Sequence, residues 1–423
     1  MSLLSAIQNK QAQVASAYTV CGSKGATLPA AGNRNLTNLA DAIDTITPEV
    51  PINQRIEKLI CSGDVYTREF ETVSANYTAI PANKFKSDET LVSAFIPNTV
   101  TSIGTGSFSA ATNLNYVNLE NITSIGDSSF YGDTNLKMSL NMPNLTTIVA
   151  YAFKESGILS VDNLGNVSSM TWGIFQNCLG LRYAKLPSTL SYINSNVFGG
   201  CTSLKEIDFS DISHLNSYGA DTCSGCINLT TVHEPQSADD VGVGSFYNCS
   251  SLTGIDLTGI INVNQYAFFG CSSLDSVSGL SGTNNIQTIG TNAFYHASLA
   301  NVSDLCLPNL TNLGGGAFEG CGFTTVSNLG SITELSPSIM SCPNLTSIVL
   351  PSTLTNINNW ALCWNSLLTT VTVLATTPPN FGGGSIFAGA TLAHIYVPAA
   401  SVSDYQNATG WSAYASIISA IPS

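Results

Sequence analysis

The sequence predicts a solenoid of short parallel β-strands stacked at a repeat of about 23 residues, with a small helical N-terminal module and a helical C-terminal cap. Three observations point there. An F-x-x-C pattern recurs at Phe175/Cys178, Phe198/Cys201, Phe246/Cys249, Phe268/Cys271 and Phe318/Cys321. Aligning every unit on that slot gives anchors at Phe85, Phe108, Phe130, Phe153, Phe175, Phe198, Cys223, Phe246, Phe268, Phe294, Phe318, Met340, Leu362 and Phe387. All thirteen successive spacings fall between 22 and 26 residues. Apolar residues also alternate after the leucine of each unit, as in Val117/Leu119, Ile207/Phe209 and Ile255/Leu257. Period two marks a short strand with one buried face.

Within a unit the pattern reads I-G-x-x-[AS]-F-x-x-C-x-x-L-x-x-[IV]-x-L, as in SFYNCSSLTGIDL (245–257) and VFGGCTSLKEIDF (197–209). A second apolar pair closes many units, for example VTSIG (100–104) and ITSIG (122–126). The period lies in the 20–29-residue range of leucine-rich repeats. Units of this form resemble the BspA-type leucine-rich repeat, found in bacterial surface proteins and in tail-associated proteins of bacteriophages. The resemblance covers residues 81–397, a leucine-rich-repeat solenoid. The ending ATTPPNFGGGSIFAGATLAHIYVPAASVSDYQNATGWSAYASII (375–418) is similar to the closing segment of such proteins.

The repeat determines how the cysteines are read. In-register rungs of a parallel stack lie about 4.8 Å apart, beyond the ~3.5–4.5 Å between the Cβ atoms of a disulfide. Cysteines at one repeat position therefore form a reduced, buried packing column, and Phe175, Phe198, Phe246, Phe268 and Phe318 fill the turn interior beside it. Every thiol except Cys21 and Cys61 is expected to be protected in the folded chain.

The ends depart from the repeat. In residues 1–62, Leu3, Ile7, Val14 and Tyr18 share one helical face, and a second helix begins with Asn35 as N-cap and carries Leu36, Leu39, Ala40, Ile43 and Ile46. Pro48 and Pro51 break it. This module either caps the first rung or attaches the chain to other virion proteins; GNRNLTNLADAIDTI resembles segments near the start of some phage tail and baseplate proteins. Residues 63–80 form a linker and first cap strand. In 398–423, Val402, Tyr405, Trp411, Tyr414, Ile417 and Ile421 are expected to lie in capping helices over the last rung.

Composition narrows the function classes. Charged residues make up 9% of the chain and the net charge is -14. Nucleic-acid backbones need clustered Lys and Arg, so no nucleic-acid partner is expected. No apolar run is long enough to span a bilayer, so no membrane insertion is expected either. The start MSLLSAIQNKQAQ lacks a basic leader and a long apolar stretch, so the reading is synthesis in the cytoplasm without a signal peptide.

Catalytic motifs are missing. SGLSGT (278–283) lacks the last glycine of a G-x-S-x-G elbow, and no Gly-Lys pair exists for a P-loop. The clusters GGGAFEG (314–320) and GGGSIFAG (382–389) lack G-x-G-x-x-G spacing and read as turn glycines. His214, His233, His296 and His394 are scattered. Cys223-x-x-Cys226 has no second C-x-x-C, and each cysteine has a place in the repeat, so no metal or cofactor is expected. The NLT triplets at 144–146, 228–230, 309–311 and 344–346 read as turn chemistry.

What remains is surface. Residues second and fourth after each unit's leucine point outward and include Tyr116, Asn118, Tyr183, Lys185, Glu206, Asp208, His233 and Asp256, with Arg182 and Lys205 beside them. They are expected to form a mixed polar and aromatic binding face over the middle of the sheet. The expected function is a non-enzymatic structural or binding protein of a phage virion, tail-associated and contacting a protein or glycan on a bacterial surface. The alternative is a bacterial cell-surface adhesion protein. A homo-oligomer is compatible with either.

Overall fold

The computed structural model describes residues 78–422 except Phe95, Pro97 and Gly384. The expected N-terminal helices in 1–62, and nearly all of the linker after them, lie outside the described residues. The rest is a parallel-strand solenoid in which each turn contributes two short strands and one tight bend. Fourteen strands run up one side, from Ala79–Ile80 to Asn380–Phe381, and fifteen up the other, from Ser93–Ala94 to Ile418–Ala420. Every strand pair is parallel and most are in register. On one side Ile103, Ile125 and Ile148 align; on the other Ala184, Ile207 and Val232 align. These residues face inward and are buried, so alternation in sequence becomes one wet and one dry face.

The F-x-x-C segment makes the third side. Residues two before and two after most anchor residues adopt left-handed backbone, as at Asn196 (φ 60°) and Gly200 (φ 74°) around Phe198. This alternation turns successive N–H groups along the solenoid axis. Asn196, Phe198 and Gly200 donate to the carbonyls of Ala220, Thr222 and Ser224 at 2.9, 2.8 and 2.7 Å. The bends therefore carry a hydrogen-bonded ladder of their own, and the closed loop leaves few backbone groups orphaned. Small residues serve these positions in many turns because a β-carbon is disfavoured at positive φ. At the start of a bend, Gly126 is required for another reason: a β-carbon there would lie 2.7 Å from the Thr105 nitrogen.

Phenylalanines stack down the interior. Phe85, Phe108, Phe130, Phe153, Phe175 and Phe198 form one run with centroids 4.9 to 5.7 Å apart. Phe246, Phe268, Phe294 and Phe318 form a second run at 5.2 to 5.5 Å. Cys223 breaks the column between them, and the volume is restored from the neighbouring strand. Tyr218, where adjacent turns carry Ile193 and Val241, turns its ring inward and meets Phe209 and Phe246 edge-on at 5.3 and 5.5 Å. A small residue in the phenylalanine slot is thus matched by a large one beside it.

Side chains staple the rungs at the surface. In NLT 144–146, Asn144 Nδ2 donates to the Glu120 carbonyl at 2.8 Å and Thr146 Oγ1 to that of Thr123 at 3.0 Å. NLT 228–230 repeats the arrangement with Thr202 and Lys205, and 309–311 and 344–346 do the same. The triplets serve the carbonyls of the previous rung.

The C-terminal cap is only partly helical. A 3-10 turn (Ala399–Ser401), one α-helix (Val402–Asn407) and a 3-10 segment (Trp411–Ile417) lead into a strand, Ile418–Ala420, which pairs with His394–Val397. Parallel pairing thus continues past residue 397, within the region expected to be a helical cap. Tyr405 and Trp411 are fully buried and close the apolar end. Each also donates one hydrogen bond at 2.8 Å, Tyr405 Oη to Ala375 and Trp411 Nε1 to Pro379. Ile421 is exposed.

The Cys223/Tyr218 exchange is testable by a double-mutant cycle. Cys223→Phe overpacks the column and Tyr218→Val empties it, each at about 1–3 kcal/mol. The double variant should recover most of either loss in urea unfolding, with a coupling of about 0.5–3 kcal/mol. Strict additivity would show that the two positions do not share the volume.

Candidate binding face and the ladder beneath it

The expected face forms in part. Strands Tyr183–Lys185, Glu206–Asp208 and Thr231–His233 lie side by side, so Tyr183 and Glu206 align, as do Lys185, Asp208 and His233. Arg182 and Lys205 precede these strands and are exposed. Seven of the ten expected residues are thereby brought together. Asp256 belongs to the next rung, tied to this group through Glu234, whose Oε1 accepts the Asp256 N–H at 2.9 Å.

Tyr116 and Asn118 stand apart. They lie towards the N-terminal end, where Tyr116–Val117 pairs only with Ser93–Ala94, and the rungs between them and Tyr183 present Ser139 and Ser160. The two tyrosines therefore do not join into an aromatic patch. Asn118 is also occupied. Its Oδ1 accepts the Ile96 N–H at 2.6 Å and its Nδ2 donates to the Ile96 carbonyl at 2.9 Å, so its amide replaces a strand pairing. The outward alternation was correct, but the side chain leans along the rungs and satisfies the backbone instead of a partner.

The charges of the face are largely paired with each other. Lys185 Nζ lies 2.8 Å from Asp211 and 3.8 Å from Asp208. His233 Nε2 lies 2.9 Å from Glu206 Oε1. His214, one column over, sits between Asp239 at 3.4 Å and Ser237 at 2.9 Å. Partial burial opposes the charge on Asp208, but the Ser210 hydroxyl and N–H, with Lys185 and His233, outweigh it and hold the carboxyl below its usual range. The hydrogen bond and charge of Asp211 raise Lys185. Such exposed pairs contribute little stability; what they fix is geometry. Arg182 and Lys205 are exposed and form no ion pair among the described residues.

No group of three or more His, Cys, Asp or Glu among the described residues comes together to hold a metal. Cys223 and Cys226 belong to the interior. The Cys226 thiol donates to the Phe198 carbonyl at 3.1 Å, and the Cys223 carbonyl accepts the Cys249 thiol at 3.1 Å. The same bond runs along the column: Cys178, Cys201, Cys271, Cys321 and Cys342 donate to Phe153, Phe175, Phe246, Phe294 and Phe318 at 2.9 to 3.2 Å. Each cysteine thus packs as a small hydrophobe and also supplies the donor its neighbour's carbonyl needs. All these thiols are free, and burial pushes Cys178 and Cys271 up to about 12. Cys306 departs from the expected protection. It occupies an outward strand position and is half-buried.

Several exposed or half-buried aromatics were not anticipated. Trp172, Trp360 and Trp364 are 56%, 43% and 66% exposed on the outer surface of the bends, and Tyr247, Phe269 and Tyr295 stack at 5.0 and 4.8 Å. Trp360 and Trp364 hold the two left-handed positions around Leu362, where most turns have Gly, Asn or Ser. Repeat alignment alone places a bulky residue in a small-residue slot there, and that was the available signal.

The chain resembles several solved structures. A leucine-rich repeat protein from Bacteroides ovatus is 22% identical, with 70% of this chain and 82% of that one covered at a TM-score of 0.43. A leucine rich cell surface protein from Faecalibacterium prausnitzii is 20% identical, with 86% and 99% covered at 0.42. No curated protein sequence matches.

The thiols give a direct test of the ladder. Alkylation followed by mass-spectrometric mapping should modify Cys306 in the native protein and Cys201, Cys249 and Cys271 only after denaturation. Rapid native modification of any of those three would contradict the buried column.

The family model for the BspA type leucine rich repeat region matches residues 66–182, 173–296 and 276–391, and the chain belongs to that family.

Proposed function

We propose that this protein is a non-enzymatic binding protein that contacts a protein or glycan on a bacterial cell surface through the strand face around Arg182, Tyr183, Lys205 and Glu206. The observation that carries this reading is the pairing pattern of that face. Lys185, Glu206, Asp208, Asp211 and His233 pair among themselves, leaving Arg182 and Lys205 as exposed cations without an ion pair beside a half-buried tyrosine on a rigid, in-register sheet. Arg and Tyr are among the residue types that most often supply interface energy, and the rigid scaffold limits the entropy lost on binding. A surface with so few charges suits a neutral glycan or a polar protein. The family match is to a repeat family and not to a catalytic one.

Two settings fit this role. In the first the chain is a tail-associated component of a phage virion, with residues 1–62 attaching it to other virion proteins; the resemblance of GNRNLTNLADAIDTI to baseplate and tail segments supports that setting. In the second it is a bacterial cell-surface adhesion protein, which membership of the BspA-type family supports. Mass spectrometry of density-purified particles and of the cell envelope separates them. Fixed stoichiometry against the capsid protein means the first, and recovery in the envelope alone means the second.

The face itself is tested by substitution. Arg182→Glu with Lys205→Glu should reduce binding to bacterial cells at least tenfold, as expected of interface anchors. The melting temperature should hold, because both side chains are exposed. Full binding by a folded double variant would move the site off this face.

A further inference from the structure

We propose that Asp133 stands as a neutral carboxylic acid in the folded chain and donates its proton to the Phe108 carbonyl, which makes the seam between the turns of Phe108 and Phe130 a pH-sensitive joint. The argument begins with the slot. Asp133 lies three residues after Phe130, where five turns of F-x-x-C form carry cysteine, and it is fully buried. In those turns the slot residue donates to the carbonyl of the previous turn's anchor residue, a phenylalanine in four of them and Cys223 in the fifth. Cys201, for example, donates to Phe175, whose carbonyl also takes the Cys178 N–H at 3.1 Å. A carbonyl has two lone pairs and accepts both.

Asn365 shows how a planar, two-headed side chain occupies this slot. Its Oδ1 accepts the Cys342 N–H at 2.8 Å, and its Nδ2 donates to the Met340 carbonyl at 2.6 Å. Met340 is the anchor of the turn before, and Cys342, two residues on, takes the slot's role there by donating its thiol to the Phe318 carbonyl. Asp133 reproduces the first half of that arrangement: its Oδ1 accepts the N–H of Ala111, the slot residue of the preceding turn, at 2.8 Å. Its Oδ2 is buried and without a partner. By analogy with Asn365 Nδ2, that oxygen faces the carbonyl of Phe108, and two acceptors meet there unless one carries a hydrogen. Phe108 accepts the Ala111 N–H at 2.9 Å, leaving one lone pair for the Asp133 proton.

Nothing charged stabilises the ionised form. The preceding turn and its strands, 101–119, contain no charged residue and only Tyr116 as a titratable group. In the following turn Lys154 and Glu155 pair with each other at 3.9 Å, and Lys154 lies over the rings of Tyr131 and Tyr151. Burial raises the Asp133 carboxyl to about 8, opposed only by the Ala111 N–H. The sign follows from linkage. A carboxyl that binds its proton more tightly when folded contributes its full stability below the ordinary carboxylate range. That contribution is lost as pH rises through the folded value, here between about 4 and about 8. A solenoid turn touches only its neighbours, so the loosening falls on this one seam.

The test compares the full-length protein with Asp133→Asn in unfolding measurements from pH 5 to 9. All other titrating groups are shared and cancel in the difference. The asparagine variant should gain on the native chain as pH rises, with the ratio of unfolding constants growing by up to about tenfold per pH unit and levelling off above pH 8. A pH-independent ratio, or a native chain that gains with pH, would overturn the proposal. Should Asp133→Asn fail to fold, infrared spectra of the native protein carrying carboxyl-labelled aspartate decide the matter. A protonated-carboxyl band at pH 6 that disappears by pH 9 is expected, and its absence at pH 6 refutes the idea.

Discussion

In the described turns, each copy of the structural unit pairs much of its backbone with the copies on either side, and the fold depends on satisfying those donors and acceptors turn after turn. Two strand ladders account for the flat sides. The bends are harder, because a chain that reverses direction over a few residues usually leaves polar groups unpaired. Alternating left-handed residues solve the problem by aligning the N–H groups with the axis, so the bends pair as regularly as the strands. Each interior position then meets its own equivalent about 5 Å away, and whatever side chain suits one turn tends to suit the next.

This constraint explains the residues that first draw attention. A phenylalanine slot filled turn after turn produces stacked rings, and a cysteine beside it is small enough for the space while its thiol reaches the preceding carbonyl. Where the slot residue changes, the neighbourhood compensates. Tyr218 fills the volume Cys223 leaves, and Asn365 supplies both a donor and an acceptor where others supply a thiol. The surface follows the same rule, since the Asn and Thr of NLT triplets serve carbonyls of the previous rung. A chain so poor in charge is held together largely by amides, hydroxyls and thiols arranged in columns.

The proposed binding role then falls to side chains the ladder does not use. On the strand face most charges neutralise one another within the rungs, and Asn118 has been drawn into the backbone bonding. Arg182 and Lys205 escape both fates because they sit at the entry to the strands, outside the paired columns. The bends offer a second class of exposed residue in Trp172, Trp360 and Trp364, set on backbone that is rigid because it is hydrogen-bonded on both sides.

The repeat, its period, the inward and outward alternation, the family and the free state of the described cysteines were all legible in the sequence, because each is a consequence of periodicity. A spacing near 23 residues with alternating apolar positions admits few other arrangements. Tertiary structure decided matters that depend on what lies across a rung. It showed that Tyr116 is too far from Tyr183 to share a patch, that Asn118 binds the Ile96 backbone, and that Lys185 and His233 already have partners. It also turned the C-terminal cap into a strand at Ile418–Ala420, since apolar spacing there is compatible with helix and the open sheet edge at His394–Val397 is what selects otherwise. Sequence determines which residues face outward; only the three-dimensional register decides which of those are already occupied, because occupancy is set by neighbours some 23 positions away.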